Sequence, residues 1–186
     1  MPRLTKITTR RGDDGGTDLA DGGRVRKDSR RIHAIGSLDE LNSAIGMARA
    51  QNPPPRTDGL LQEIQNDLLC LGTALAHRSA VPRKGSGPVL DGQRIRDLER
   101  ETDELQQQLG PLQNFLLPGG TPAAASLHFA RAVCRRAERD VIALSRRGHV
   151  ASELLIYLNR LSDFLFQAAR WENRSAGIPE SLWESR

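Results

Sequence analysis

Residues 8–31 read TTRRGDDGGTDLADGGRVRKDSRR. Glycines let backbone N–H groups come close to phosphate oxygens, and they accept the positive φ angles that build anion nests. Thr8, Thr9 and Thr17 add hydroxyl donors, and Arg10, Arg11 and Lys27 add positive charge. Asp13 offers a carboxylate, which suits a magnesium ion shared with phosphate oxygens. A solvated Gly/Asp loop has the same composition, so this stretch alone leaves anion binding and plain loop both open. Charge narrows the choice of partner. Residues 1–31 hold nine basic and five acidic side chains, which is the whole net charge of +4, and the remainder is neutral. A basic arm suits a polyanion. Nucleic acid fits poorly, because the arm has no interleaved aromatics and its five aspartates oppose a phosphate backbone.

Two further groups could do chemistry. Arg131, Arg135 and Arg139 recur every four residues and share one helix face, beside Arg136 and Glu138. Such a row needs an anion or carboxylates to offset its repulsion, and a solvated face with Glu138 as partner is the plain alternative. Asn159 and Asp163 lie four apart next to an apolar stripe, as a satisfied buried pair or as a site lining. Phe115 precedes Leu117-Pro118-Gly119-Gly120 and is, on its own, a loop-edge core plug. Cys70 and Cys134 form no Cys-x-x-Cys and read as reduced core residues. The four histidines form no His-Glu-x-x-His pair, so no protein-ligated catalytic zinc is expected.

These groups must be positioned by helices. Residues 8–31 read as a loop, with neither helix nor paired strand. Ser37-Leu38-Asp39-Glu40 fits a capping box, which starts a first helix at Ser37 running to about Ala50, ended by Pro53-Pro54-Pro55. Leucines at helical spacing predict a second helix over about 58–79, then a Pro/Gly loop at 81–88. Its Arg83-Lys84-Gly85-Ser86-Gly87 has the wrong order for a Walker A loop. Ile95 to Leu109 marks a third helix. Thr121-Pro122 looks like an N-cap and first-turn proline for a fourth, to about Arg146. A fifth runs from near Val150 to about Asn173. The fold class is therefore all-α, a five-helix bundle behind a glycine-rich arm. A chain of 186 residues suits one domain, divided into arm (1–32), bundle (33–174) and tail (175–186). No apolar run approaches the roughly 18 residues of a membrane span. No secretory signal is visible, and a cytoplasmic protein is expected.

Taken together, the motifs resemble the PduO-type ATP:cob(I)alamin (corrinoid) adenosyltransferase family, over nearly the whole chain. The family's Thr-Arg-Thr-Gly-Asp-x-Gly-x-Thr stands as Thr9-Arg10-Arg11-Gly12-Asp13-Asp14-Gly15-Gly16-Thr17, followed by Lys27-Asp28. Asp39-Glu40-Leu41-Asn42, Phe115-Leu116-Leu117-Pro118-Gly119-Gly120, Arg135-Arg136-Ala137-Glu138-Arg139 and Tyr157-Leu158-Asn159-Arg160-Leu161-Ser162-Asp163 complete the set in order.

The resemblance implies a ferritin-like four-helix core plus one helix, assembled as a homotrimer with ATP held between neighbouring subunits. It implies an enzyme that transfers the 5′-deoxyadenosyl group of ATP to the cobalt of reduced cobalamin, with triphosphate leaving. The arm would wrap the triphosphate through Thr9, Arg10, Arg11, Gly12, Asp13, Gly15, Thr17 and Lys27, with Mg²⁺. Arg135, Glu138, Arg139 and Asn159 would complete the ATP site. Arg135 would pair with Asp39 across the interface, and Phe115 would lie under the corrin ring. There it would exclude the lower axial ligand and leave cobalt(II) four-coordinate and easier to reduce. A flavin-dependent reductase and a cobalamin-dependent acceptor enzyme are the protein partners it suggests. Arg11, Asp14 and Gly16 depart from the family pattern, and the first two offset one another in charge. The tail, Ile178 to Trp183, is either a cap over the corrin ring, with Trp183 as the cap, or a frayed or surface-docked end. A related trimer that only holds ATP or adenosylcobalamin, for delivery or regulation, is the alternative to the enzyme.

Overall fold

The computed structural model describes residues 8–78, 90–148 and 150–184. The loop expected at 81–88, Lys6 and His149 lie outside the described residues.

The five expected helices form: α1 (Arg30–Arg49), α2 (Pro55–Leu75), α3 (Gly92–Leu109), α4 (Pro122–Ser145) and α5 (Ser152–Ser175). α1 packs on α2 and α4, and α5 packs on α4 and α3. Leucine and alanine at helical spacing turn one stripe of each helix inward. Leu38, Leu41 and Ile45 of α1 thereby meet Leu127, Cys134 and Val141 of α4 and Leu158, Leu161 and Leu165 of α5 in one core. Thr121 caps α4, its hydroxyl accepting from Ala124 N at 3.0 Å.

Two expectations fail. α1 begins at Arg30, not Ser37, and its N-cap is Ser29, whose side chain accepts from Ile32 N. Ser37 lies buried one turn past His33, beside the His33 carbonyl at 3.0 Å, and donates to the Asp140 carboxylate. Its role is to tie α1 to α4. The glycine-rich segment is also not merely loop. Gly16–Asp18 (β1) and Arg24–Arg26 (β2) pair antiparallel, Thr17 opposite Val25. The turn signal was present in Asp21-Gly22-Gly23, where Asp21 Oδ1 accepts from Gly23 N at 2.9 Å. Three-residue strands carry too little periodicity to stand out.

A polar lock joins α2, α3 and α5. Tyr157, fully buried on α5, donates to Asp67 of α2 at 2.7 Å. Arg94 of α3 donates to the same carboxylate at 2.9 Å and to Glu63 at 2.9 Å. Burial first, then the Asp67 charge, pushes the Tyr157 phenol well above its ordinary pKa, so it remains a donor. Cys134 is buried, and burial drives its thiol well up, whereas Cys70 is only half-buried, contrary to the core position expected for it. No helix of the described residues is long and apolar enough to cross a membrane.

Candidate functional site

The hairpin gives the arm its shape. Arg24 gathers its acids: it donates to Asp14 at 2.7 Å, to Asp18 at 3.1 Å and to the Arg11 carbonyl at 2.7 Å. Arg11 pairs with Asp18 at 2.8 Å. The two departures in the signature, Arg11 and Asp14, are thus neutralised by separate hairpin partners and not by one another. The hydrogen bond from Gly16 N, then that from Arg24, hold the Asp14 carboxyl below its usual range. Leu19, buried, plugs the hairpin into the bundle, and Ala20 N donates to Ala76 O at 3.1 Å. Asp21 accepts from both the backbone and the guanidinium of Arg78 at 3.0 Å. Those donors, the backbone one foremost, hold it far below the usual carboxylate range.

Lys27 follows β2 directly, and its backbone N donates to Gly15 O at 2.9 Å. That places its side chain over Gly12, where a Cβ would stand 2.8 Å from the Lys27 ammonium and 3.0 Å from its Cε. A side chain at residue 12 would therefore have to displace the lysine end from this position. Arg10, ahead of β1, adopts φ +60°. Thr9, Arg10, Asp13 and Lys27 are exposed, and Thr17 is half-buried. None of the five makes a side-chain hydrogen bond or ion pair among the described residues.

On α4 the arginine row divides. Arg131 lies over the Phe166 ring at 5.3 Å, and Arg136 pairs with Glu40 of α1. Arg135 and Arg139 are exposed, with no carboxylate partner among the described residues. Glu138, the partner the plain reading gave them, instead accepts from Asn159 Nδ2 at 3.3 Å. Asn159 Oδ1 in turn accepts from Arg160 at 2.8 Å. Glu138 and Asn159 are thus brought together, while Asp163 is exposed. Asp39 is exposed and does not meet Arg135 within the chain.

Phe115 is not a core plug: it is 78% exposed. Its loop is clipped by Asn173, buried near the end of α5, which accepts from Thr121 N at 2.9 Å and donates to Gly119 O at 3.0 Å. Gly120 sits at φ +100°, and a Cβ there would overlap the Asn173 amide. The sequence signal for this clip was the Gly119-Gly120 pair. Nothing local marked Asn173.

These groups occupy different parts of the bundle. The arm docks where α2 ends and α1 begins, as Arg31 donates to Leu75 O at 2.6 Å and to His77 O at 2.9 Å. Phe115 precedes α4 at the opposite end. The 24 residues of α4, at a rise of about 1.5 Å each, separate those ends by about 36 Å. A cavity of about 520 Å³ between α3 and α5 is lined by Asp163, which the sequence offered as a site lining, but by none of the residues expected to hold ATP or the corrin ring. Its lining includes Glu99, Asp103 and Asp163, which suits no phosphate. No three His, Cys, Asp or Glu side chains converge to hold a metal among the described residues.

A sequence model of the family described as cobalamin adenosyltransferase matches residues 7–172. The chain is 42% identical over 183 residues to the cobalamin adenosyltransferase of Cupriavidus metallidurans, covering 98% of this chain and 96% of that one. It is 39% identical over 194 residues to the corrinoid adenosyltransferase MMAB of Bos taurus, covering 98% and 78%. A solved structure of a phenylalanine-to-alanine variant of the PduO-type ATP:corrinoid adenosyltransferase from Lactobacillus reuteri, complexed with cobalamin and ATP, superposes with a TM-score of 0.89. It is 34% identical, and the match covers 97% of this chain and all of that one.

Proposed function

The chain belongs to the cobalamin adenosyltransferase family, and from that premise we propose how its own residues perform the transfer. The protein is an ATP:cobalamin adenosyltransferase: ATP and reduced cobalamin are the substrates, adenosylcobalamin and triphosphate the products. The forming bond is cobalt to the 5′ carbon of ATP, and its electron pair comes from cobalt(I). The bond that breaks joins that carbon to the triphosphate oxygen, which keeps the other pair. No protein nucleophile is needed. The chain must align two reactants and stabilise charge on the leaving group.

The residue assignment rests on motif position taken with charge. Arg30, Arg146 and Arg147 also lack a carboxylate among the described residues, and the cations assigned to ATP are the unpaired ones that lie in the matched motifs. Arg10, Lys27, Arg135 and Arg139 meet no carboxylate among the described residues, whereas Arg11, Arg24 and Arg26 each do. In this reading the open end of the hairpin, with Thr9, Arg10, Gly12, Gly15, Thr17 and Lys27, takes the triphosphate. Arg11 serves it indirectly, by neutralising Asp18. Arg135, Arg139 and the Glu138–Asn159 pair take the rest of the nucleotide. Asp13, exposed in the same segment ahead of β1, fits a magnesium ion held mainly by phosphate oxygens, as that ion prefers.

The two ends of the bundle argue for assembly. One copy's arm and its own Phe115 lie farther apart than one ATP extends, so a neighbouring copy completes the site. A homotrimer is the form proposed, with Asp39 of one copy pairing Arg135 of the next. Met47 and Phe129, 56% and 54% exposed on α1 and α4, suit such an interface. A cytoplasmic location and a flavin-dependent reductase belong to the same proposal.

The test is the visible spectrum of the protein with chemically reduced cobalamin and Mg-ATP over time. Conversion to adenosylcobalamin that requires ATP is expected. Binding of both without conversion would replace the enzyme with a delivery or regulatory trimer.

A further inference from the structure

The last residues of the chain are tied to the loop that carries Phe115. After α5 the chain turns at Gly177, and Ile178 N donates to Asn173 O at 2.9 Å. Glu180 then pairs with Arg170 of α5 at 2.8 Å, and the Arg170 side chain is only 5% exposed. A buried guanidinium needs that partner, so residue 180 is fixed against the helix. From there the chain runs antiparallel to the Phe115 loop, bridging Leu116 to Leu182. Leu117 N donates to Ser181 O at 2.8 Å, and Trp183 N donates to Phe115 O at 2.7 Å. The Trp183 ring meets the Phe115 ring edge-on, with centroids 6.2 Å apart and planes at 83°. This is neither a frayed end nor a surface-docked one in the ordinary sense.

Phe115 itself has almost no packing, yet the role proposed for it demands a fixed ring. A free, exposed side chain that must be ordered on binding loses affinity through lost rotamer freedom. The strap supplies what the core does not. Its two backbone bonds fix the residue on either side of Leu116, and the Trp183 edge restricts the ring. Trp183 is 53% exposed, and Leu117 and Leu182 are each 50% exposed beside it, so the pair forms an open apolar corner and not a closed plug.

We propose that residues 178–184 are a positioning strap and that Trp183 holds the Phe115 ring in the orientation that displaces the lower axial ligand of cobalamin. The inference rests on the reading of Phe115 given above. Trp183 is a positioning residue: it acts through Phe115, and the strap carries its placement back to α5 through Glu180.

The test uses the full chain saturated with Mg-ATP and cob(II)alamin, in four forms: parent, Trp183→Ala, Trp183→Phe and Phe115→Ala. The readout is the fraction of four-coordinate cob(II)alamin from its visible absorption, together with rates from cob(II)alamin and from pre-reduced cob(I)alamin. An edge-to-face aromatic contact predicts that Trp183→Ala shrinks the ratio of four- to five-coordinate cobalt by about fivefold, with the cob(II) route slowed more than the cob(I) route. Trp183→Phe restores most of it. ATP affinity and helical circular dichroism equal to the parent show that the bundle and nucleotide site are intact. If Phe115→Ala loses the four-coordinate form while Trp183→Ala keeps it, the strap has no positioning role and the inference falls. A loss in Trp183→Ala that Trp183→Phe does not restore also overturns it. If Phe115→Ala itself keeps the four-coordinate form, the reading of Phe115 is what fails, and the strap inference goes with it.

Discussion

Gly12 and Lys27 form one device, and a double-mutant cycle can show it. Lys27 is exposed and unpaired among the described residues, so its removal leaves stability within about 0.5 kcal/mol. Its charge-assisted bonds to a triphosphate are worth about 1.5–3 kcal/mol. Lys27→Ala should therefore lower kcat/KM for ATP by about 10- to 150-fold. Gly12→Ala places a methyl 2.8 Å from the ammonium, 3.0 Å from Cε and 3.2 Å from Gly16 O. Ordinary carbon contacts begin near about 3.5 Å. The carbonyl, fixed in β1, concedes little, so the lysine end must move by several tenths of an ångström. That shift stretches its hydrogen bonds past their useful length, and a loss of about tenfold is expected. The assay is ATP saturation of adenosylcobalamin formation from pre-reduced cob(I)alamin, followed in the visible. If Gly12 acts through Lys27, the double variant is no worse than Lys27→Ala alone. Multiplying losses would show that Gly12 serves the phosphate by itself, and normal turnover of Lys27→Ala would remove the triphosphate assignment altogether.

Three other outcomes follow from the geometry. Asp39→Ala and Arg135→Ala should each weaken association in sedimentation and slow turnover, with non-additive effects; a fully assembled, fully active Asp39→Ala protein would end the inter-copy pairing. Asn173→Ala orphans the Thr121 N–H and the Gly119 carbonyl, which should cost about 2–4 kcal/mol in denaturant unfolding; an unchanged midpoint would mean the loop is held elsewhere. Glu172 is buried with Oε1 unpartnered, and burial raises its pKa above the ordinary 4.5, against a smaller opposing bond from Thr57. The folded state then holds its proton more tightly, so Glu172 contributes stability below about pH 4.5 that is lost as pH rises through the folded value. Glu172→Gln does not titrate, so its melting temperature relative to the parent should climb as pH rises above about 4.5. A flat difference would contradict the buried ionisation.

The helices were legible because each has an apolar stripe longer than any accident of composition. Where reading failed, the cause was local ambiguity. Ser37 followed by Glu40 has the residues of a capping box, and Gly36 before it looks like a break. Yet Ala34 continues the stripe of Leu38 and Leu41, and burial against α4 carries the helix through the glycine to Ser29. The hairpin was hidden for the opposite reason. Its strands are held by Arg24 and its three acceptors, a charge pattern without periodicity.

The site's chemistry was visible in motif order, and its geometry was not. Type and spacing place cations on the arm and on α4, but they cannot say which cations the fold neutralises. Only packing separates Arg136, matched to Glu40, from Arg135 one residue earlier, and Arg24, matched to Asp14, from Lys27 three residues later. An unpaired charge does not by itself mark a phosphate site, since Arg30, Arg146 and Arg147 also meet no carboxylate among the described residues; position in the matched motifs is what selects Arg10, Lys27, Arg135 and Arg139 from them. Asn173 and Glu180 were invisible for another reason. Each acts across 50 residues or more, or through a chain end, on a loop that has no core of its own. The aromatic proposed for the corrin side is therefore held by residues that no motif contains, and those are the ones whose substitution separates holding Phe115 from folding the bundle.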